Sequence, residues 1–216
     1  LILNELAETR VELLASLFPA TPVTRFDAAQ IDDYLDATAV PSVALMNPPF
    51  SAMANVDGRT TEATARHLRS ALARLAPGGR LVAITGASFV SDAPAWAETF
   101  DRLTESAHLV FTGAVSGAAF AKHGTTFETR ISVFDKCRGG EMGGVTADLR
   151  QLVSPDAAHL LSRITTEVPP RLVLDQTATA SRGRSSAFPG NSAPVTRKAI
   201  GKSRATPVAQ SAQTIA

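Results

Sequence analysis

The stretch "SVALMNPPFSA", Ser42 to Ala52, decides how this chain is read. Its apolar run, Val43-Ala44-Leu45-Met46, is short and is bounded by Pro41 before it and Pro48 after it, which favours a buried strand over a helix. Asn47-Pro48-Pro49-Phe50 then falls at the strand's carboxyl end. Two consecutive prolines fix φ and remove two backbone donors, so the loop is stiff and rich in acceptors. An Asn side-chain oxygen and a proline-loop carbonyl can together accept both hydrogens of a planar amino group and leave its lone pair facing an electrophile. Phe50 can stack on the ring that bears the amine. The alternative for the same residues is a rigid turn, with Asn47 bonded to local backbone and Phe50 in the core.

Outward from this stretch, strand-like and helix-like segments alternate. "LILN" precedes the helical spacing of Leu6, Arg10, Leu13, Leu14, Leu17 and Phe18; "PVTRFD" is a second strand; "AAQIDDYLDA" is a short helix. Leu68, Leu72 and Leu75 mark one face of a helix from Thr60 to Ala76, stopped by Pro77-Gly78-Gly79. "RLVAITG" is a strand, and a further helix is predicted from Ala93 to Leu103, with Asp92 as cap and Pro94 in the first turn. "AHLVFTGAV" and "FETRISVFDK" close the core around the loop "SGAAFAKHGTT". This order predicts an α/β sheet, parallel except near its end, with helices on both faces. Ligands of such sheets bind beyond the carboxyl ends of the strands, where Asn4-Glu5, Phe26-Asp27 and Asn47-Pro48 fall.

Composition sets limits. The 216 residues are 44% hydrophobic and 19% charged, ordinary globular material for one core plus an extension. No apolar segment approaches the roughly 20 residues of a membrane span, and a cytoplasmic location is expected. Cys137 is the one cysteine, and His67, His108, His123 and His159 lack metal-ligand spacing, so no metal is predicted. The segment from Asp175 to Ala216 carries six basic residues and one acid, a net +5 against −4 for the residues before it. Rich in Ser, Thr, Ala and Pro, it reads as a disordered basic tail or linker. The domain reading is therefore an α/β core over 1–136, a partly helical extension over 137–174 and the tail over 175–216.

With these residues on the page a resemblance can be named. "LMNPPFSA" at a strand end, with "LNELAETRVELLASLFP", "VTRFDAAQI", "ARLAPGGRLVAITGASF" and "AKHGTTFETRISVFDK", resembles the S-adenosylmethionine-dependent amino methyltransferases, above all the adenine-specific DNA methyltransferases. It is also similar to the methyltransferase portion of bacterial and plasmid proteins in which a helicase-like region follows. The likeness covers about Leu1 to Arg171.

It implies a Rossmann-like class I methyltransferase sheet and transfer of a methyl group from S-adenosyl-L-methionine to the exocyclic amine of adenine in DNA. Asn47, Pro48, Pro49 and Phe50 form the implied catalytic set. Glu5 on the cofactor ribose, Asp27 on its adenine amino group and Asn47 form the implied cofactor set. Glu5 as a first-turn acid and Asp27 as a helix cap are the plain alternatives. Ribosomal-RNA guanine methyltransferases, protein-glutamine methyltransferases and a non-catalytic module joined to a helicase share the pattern. The family's glycine-rich loop after the first strand has no counterpart before Leu1. The chain therefore reads as a fragment lacking that strand, and is expected to be inactive alone. Lys122, His123, Thr125 and Thr126 are candidates for contact with a nucleic-acid backbone. No proton-transfer role is needed for His123, because an amine with an exposed lone pair attacks a sulfonium methyl directly.

Overall fold

The computed structural model describes residues 1–49, 60–150 and 152–171. Phe50 and the basic tail lie outside them. The chain from Leu1 to Asp175 forms one compact unit.

The predicted alternation is present. β1 (Leu3–Asn4), α1 (Glu8–Leu17) and β2 (Val23–Thr24) come first, followed by a 3-10 turn (Ala28–Gln30) and α2 (Ile31–Tyr34). β3 (Val43–Met46), α3 (Thr60–Arg74), β4 (Arg80–Gly86) and α4 (Ala97–Thr104) build the middle. β5 (Ala107–Val115), a 3-10 segment (Gly117–His123), β6 (Thr129–Lys136), β7 (Gly144–Val145), β8 (Val153–Ser154) and α5 (Ala157–Glu167) finish it. The helix expected to begin at Ala93 instead starts at Ala97, and its N-cap position is Trp96 rather than Asp92. Tertiary packing overrides the local signal: Trp96 stands edge-on to Phe89 at 4.9 Å, and Phe89 packs on Phe100 at 4.5 Å.

The main sheet runs β3-β4-β6-β5-β7, with β8 also on β5. β3 is parallel to β4, while β6 is antiparallel to β4 and β5. β7 and β8 run parallel to β5, so β6 alone opposes the other strands. The fold is thus the mostly parallel, Rossmann-like α/β sheet expected, with its antiparallel strand near the end.

One sheet face packs on α3 and α4. Leu68, Leu72 and Leu75, the face predicted for α3, are buried with Leu81, Ala83, Phe100, Leu103, Leu109 and Phe134. A bulge between Leu109 and Phe111 shifts the alternation, so Phe111 points into the opposite core with Val115, Val133 and Leu160 of α5.

The first two strands stand apart. Among the described residues β1 and β2 pair only with each other, as a two-stranded parallel sheet, and β3 bonds only to β4. Around this break the apolar surface is open. α1 has no buried residue, Leu13 and Leu17 are 56% and 62% exposed, and Leu45 on β3 is 77% exposed. Helical leucines and strand leucines of an α/β sheet normally find cover. The β1–β2 end is held to the body by α2, where the Asp32 N–H donates to Ser70 Oγ at 3.1 Å and the Ser70 hydroxyl donates to Asp32 Oδ1.

Candidate functional site

The carboxyl ends of β3, β4 and β5 and the amino end of β6 meet on one side of the sheet, because Gly86 and Val115 both lie opposite Thr129. β3 delivers Asn47 there. Asn47 and Pro49 are exposed and Pro48 is buried between them. The Thr64 hydroxyl, on α3 and 2% exposed, donates to the Pro49 carbonyl at 3.1 Å. The stiffness expected from the proline pair is therefore reinforced from a helix, and Pro49's carbonyl already has one donor.

Two depressions flank this loop. A cavity of about 280 Å³ is lined by Thr64, Gly86, Ser88, Trp96, Phe127 and Glu128 among others. A wider groove of about 610 Å³ contains Asn47, Ile84, Thr125 and Phe127 and runs to Leu160 on α5. Phe127 lines both and is 58% exposed. Sequence reading placed it inside a strand, but β6 begins at Thr129, which leaves the ring in the loop. The signal available was an aromatic next to "KHGTT". Thr125 Oγ accepts from the Phe127 N–H at 3.2 Å, so this threonine shapes the aromatic's backbone. Gly117 makes room for it: a Cβ there would lie 1.8 Å from the Thr126 carbonyl oxygen.

Behind the cavity sits a buried cation. Arg130 Nη1 donates to Thr112 Oγ at 2.9 Å and its Nε to the Ala87 carbonyl at 3.1 Å, fixing the turn after β4. Burial pushes its guanidinium below the ordinary value, and the charge of Asp92 opposes that shift. It remains a cation.

Glu5 and Asp27 lie at adjacent carboxyl ends of β1 and β2, where the Glu5 N–H donates to the Thr24 carbonyl at 3.1 Å. Asn4 clamps the two ends, accepting from the Phe26 N–H and donating to the Phe26 carbonyl, each at 3.0 Å. Glu5 Oε1 accepts from the Ala7 N–H at 2.8 Å and from Arg10 at 2.9 Å. The Arg10 bond and the Ala7 N–H hold its carboxyl below the usual range. Asp27 Oδ1 caps the following turn through the Ala29 N–H at 2.9 Å. Asp27 thus realises its plain alternative as a cap, whereas Glu5 lies ahead of α1, whose first-turn acid is Glu8; each carboxylate retains further acceptor capacity. The structure brings Glu5 and Asp27 to the ends of β1 and β2 and Asn47, Pro48 and Pro49 to the end of β3, on two strand pairs that the sheet break leaves unconnected.

The architecture is that of the class I S-adenosylmethionine-dependent methyltransferase fold. A Listeria monocytogenes protein assigned to that class superposes with a TM-score of 0.55 at 11% identity, covering 78% of this chain and 55% of that one. The type I restriction-modification methyltransferase subunit from Streptococcus thermophilus gives 0.53 at 14% identity, over 80% of this chain and 42% of that one. The modification subunit assigned to a type I restriction enzyme of Vibrio vulnificus YJ016 gives 0.53 at 12%, over 78% and 41%. The chain thus spans between 41% and 55% of these proteins. No family model matches it. No curated protein is similar in sequence. Among the described residues no helix is long and apolar enough to cross a membrane.

Proposed function

We propose that this chain is the base-binding and partial cofactor-binding portion of a methyltransferase that modifies the exocyclic amine of adenine in DNA. The observation that carries the reading is Asn47-Pro48-Pro49 at the carboxyl end of β3, pinned by Thr64 beside the two depressions that share Phe127. S-adenosylmethionine, when bound, supplies an electrophilic sulfonium methyl. Asn47 Oδ1 and the Pro48 carbonyl accept the two amine hydrogens and leave the nitrogen lone pair free to attack. Phe50 and Phe127 offer ring faces for the base, and such stacking is worth about 1 to 3 kcal/mol per base.

The donor set at the other strand ends fits the cofactor: two carboxylates on adjacent parallel strands can take vicinal hydroxyls and an amino edge. Glu5 would hold the ribose and Asp27 the adenine. The type I restriction-modification neighbours support DNA as the substrate and assembly with other subunits as the setting. A helicase-like region in the same polypeptide is the further partner proposed from the sequence resemblance.

The broken sheet favours a second reading for the chain by itself, a binding module without catalysis. The test is made in an extended protein, in which this chain is completed to a full class I sheet. There Asn47→Ala abolishes methyl transfer while cofactor binding persists, and Phe50→Tyr retains activity that Phe50→Ala largely loses. Full turnover by Asn47→Ala overturns the proposal, and an extended protein that binds cofactor but never transfers methyl establishes the module.

A further inference from the structure

A second constellation lies at the opposite end of the sheet. The register puts His108 opposite Asp135 and Ala107 opposite Lys136, at the end of β4 that begins with Arg80. Asn47 follows Met46, which lies opposite Ala83, so along the strand direction it is about four residues or roughly 13 Å from the Arg80 end, and three strands across from β5. Here His108 of β5, Cys137 just past β6 and Glu141 in the next turn each offer a ligand atom, and these atoms lie within 4.8 Å of one another.

Backbone contacts fix all three positions. The Cys137 N–H donates to the Ser106 carbonyl at 2.8 Å, extending the β5–β6 ladder by one step, so Cys137 and His108 are diagonal neighbours on one face. The Glu141 N–H donates to the Arg138 carbonyl at 3.0 Å, and Glu141 Oε2 accepts from the Arg138 N–H at 2.7 Å. Glu141 is thereby oriented by an outer hydrogen bond, as metal-binding carboxylates commonly are. The loop is also pressed onto the start of β5, since a Cβ on Gly143 would come within 2.4 Å of the Ala107 carbonyl oxygen.

The geometry points to a zinc-class divalent metal site formed by His108, Cys137 and Glu141. Thiolate, imidazole and carboxylate suit a borderline ion such as zinc rather than magnesium or calcium. Tetrahedral bonds of about 2.0 to 2.3 Å place ligand atoms roughly 3.3 to 3.8 Å apart. Closing the 4.8 Å triangle asks each side chain for a shift on the order of 1 Å. Three protein ligands leave the fourth position to water. An ion here ties the start of β5 and the end of β6 to the turn that leads into β7, at the opposite end of the strands from the Asn47 loop. Linear spacing pointed away from metal because the ligands converge through an antiparallel register, which ligand spacing along one segment does not encode.

The test uses the untagged chain, stripped with chelator and titrated with cobalt(II) and zinc(II). Cys137 is the chain's one cysteine, so a thiolate-to-cobalt charge-transfer band reports on it alone. The site predicts one equivalent of metal and that band, with Cys137→Ser removing the band. Loss of an outer partner already costs about 10- to 100-fold in metal affinity, so His108→Ala and Glu141→Gln should each weaken zinc binding by at least that factor, with far-UV circular dichroism unchanged. Glu141→Gln lies on an exposed turn and keeps the test valid where a strand variant misfolds. His159→Ala should leave the affinity unaltered. Absence of the band, or a band and zinc affinity indifferent to both His108→Ala and Glu141→Gln, overturns the site.

Discussion

Thr64 Oγ, buried on α3, donates to the carbonyl of Pro49 at 3.1 Å and so couples a core helix to the loop that carries Asn47. Replacing Thr64 with Val keeps the shape and removes the donor. Stability should fall by about 1 kcal/mol, the usual net worth of such a bond. The rate of methyl transfer in the extended protein should fall further, by roughly tenfold or more, because small misplacements of an orienting group are costly. Thr64→Ser should retain both. Denaturant unfolding and turnover measured together check this, and a fully active Thr64→Val would separate the loop from the helix.

Gly117 sets a second condition. Its missing Cβ lets the 3-10 segment approach the Thr126 backbone, where an added carbon would sit 2.4 Å from the Thr126 carbonyl carbon. Backbone cannot yield as a side chain can. Gly117→Ala should therefore cost about 1 to 3 kcal/mol as an overpacked site and displace Phe127 from the rim of both depressions. Gly139→Ala, where a Cβ meets nothing within 4 Å, is the matched control. Equal melting temperatures for the two variants would contradict the packing argument.

Much of this was legible in the sequence, for identifiable reasons. Val43–Met46 was bounded by prolines, and the α3 leucines carried a clean helical period, so β3, α3 and the site loop followed from local patterns. What depended on distant contacts did not. Asp92 looked like a helix cap, but the packing of Phe89, Trp96 and Phe100 starts α4 later. β7 and β8 are two residues each and form only because β5 offers a partner. Phe127 reads as strand in "FETRISVFDK", and its place at the rim follows from β6 beginning at Thr129. Glu5 and Asp27 were placed correctly at strand ends, yet their bonds to Ala7, Arg10 and Ala29 needed coordinates.

The broken sheet predicts weak cofactor binding. Under the proposed function Glu5 and Asp27 hold the ribose and adenine of the cofactor while β1 and β2 stand apart from the main sheet, so the 216-residue chain should bind S-adenosylmethionine weakly or not at all, and the extended protein should bind it. Charge-assisted hydrogen bonds contribute about 1.5 to 3 kcal/mol each, and every 1.4 kcal/mol is about tenfold. Glu5→Gln in the extended protein should thus lower affinity by about tenfold. The folded state favours the ionised Glu5, because Arg10 and the Ala7 N–H hold its carboxyl below the usual carboxylate range. Its contribution is present above the ordinary carboxylate range and is lost as pH falls through the lowered folded value, so affinity should be flat with respect to Glu5 through neutral pH. Calorimetry across pH checks both, and micromolar binding by the 216-residue chain would mean that another loop holds the cofactor.

The chemistry itself is read from the product. The extended protein is incubated with S-adenosylmethionine labelled in its methyl group and unmethylated duplex DNA, and the DNA is digested to nucleosides. The label should appear in N6-methyladenine and be absent with Asn47→Ala. Label recovered instead in guanine of RNA or in a glutamine side chain, or adenine methylation that survives Asn47→Ala, would contradict the assignment.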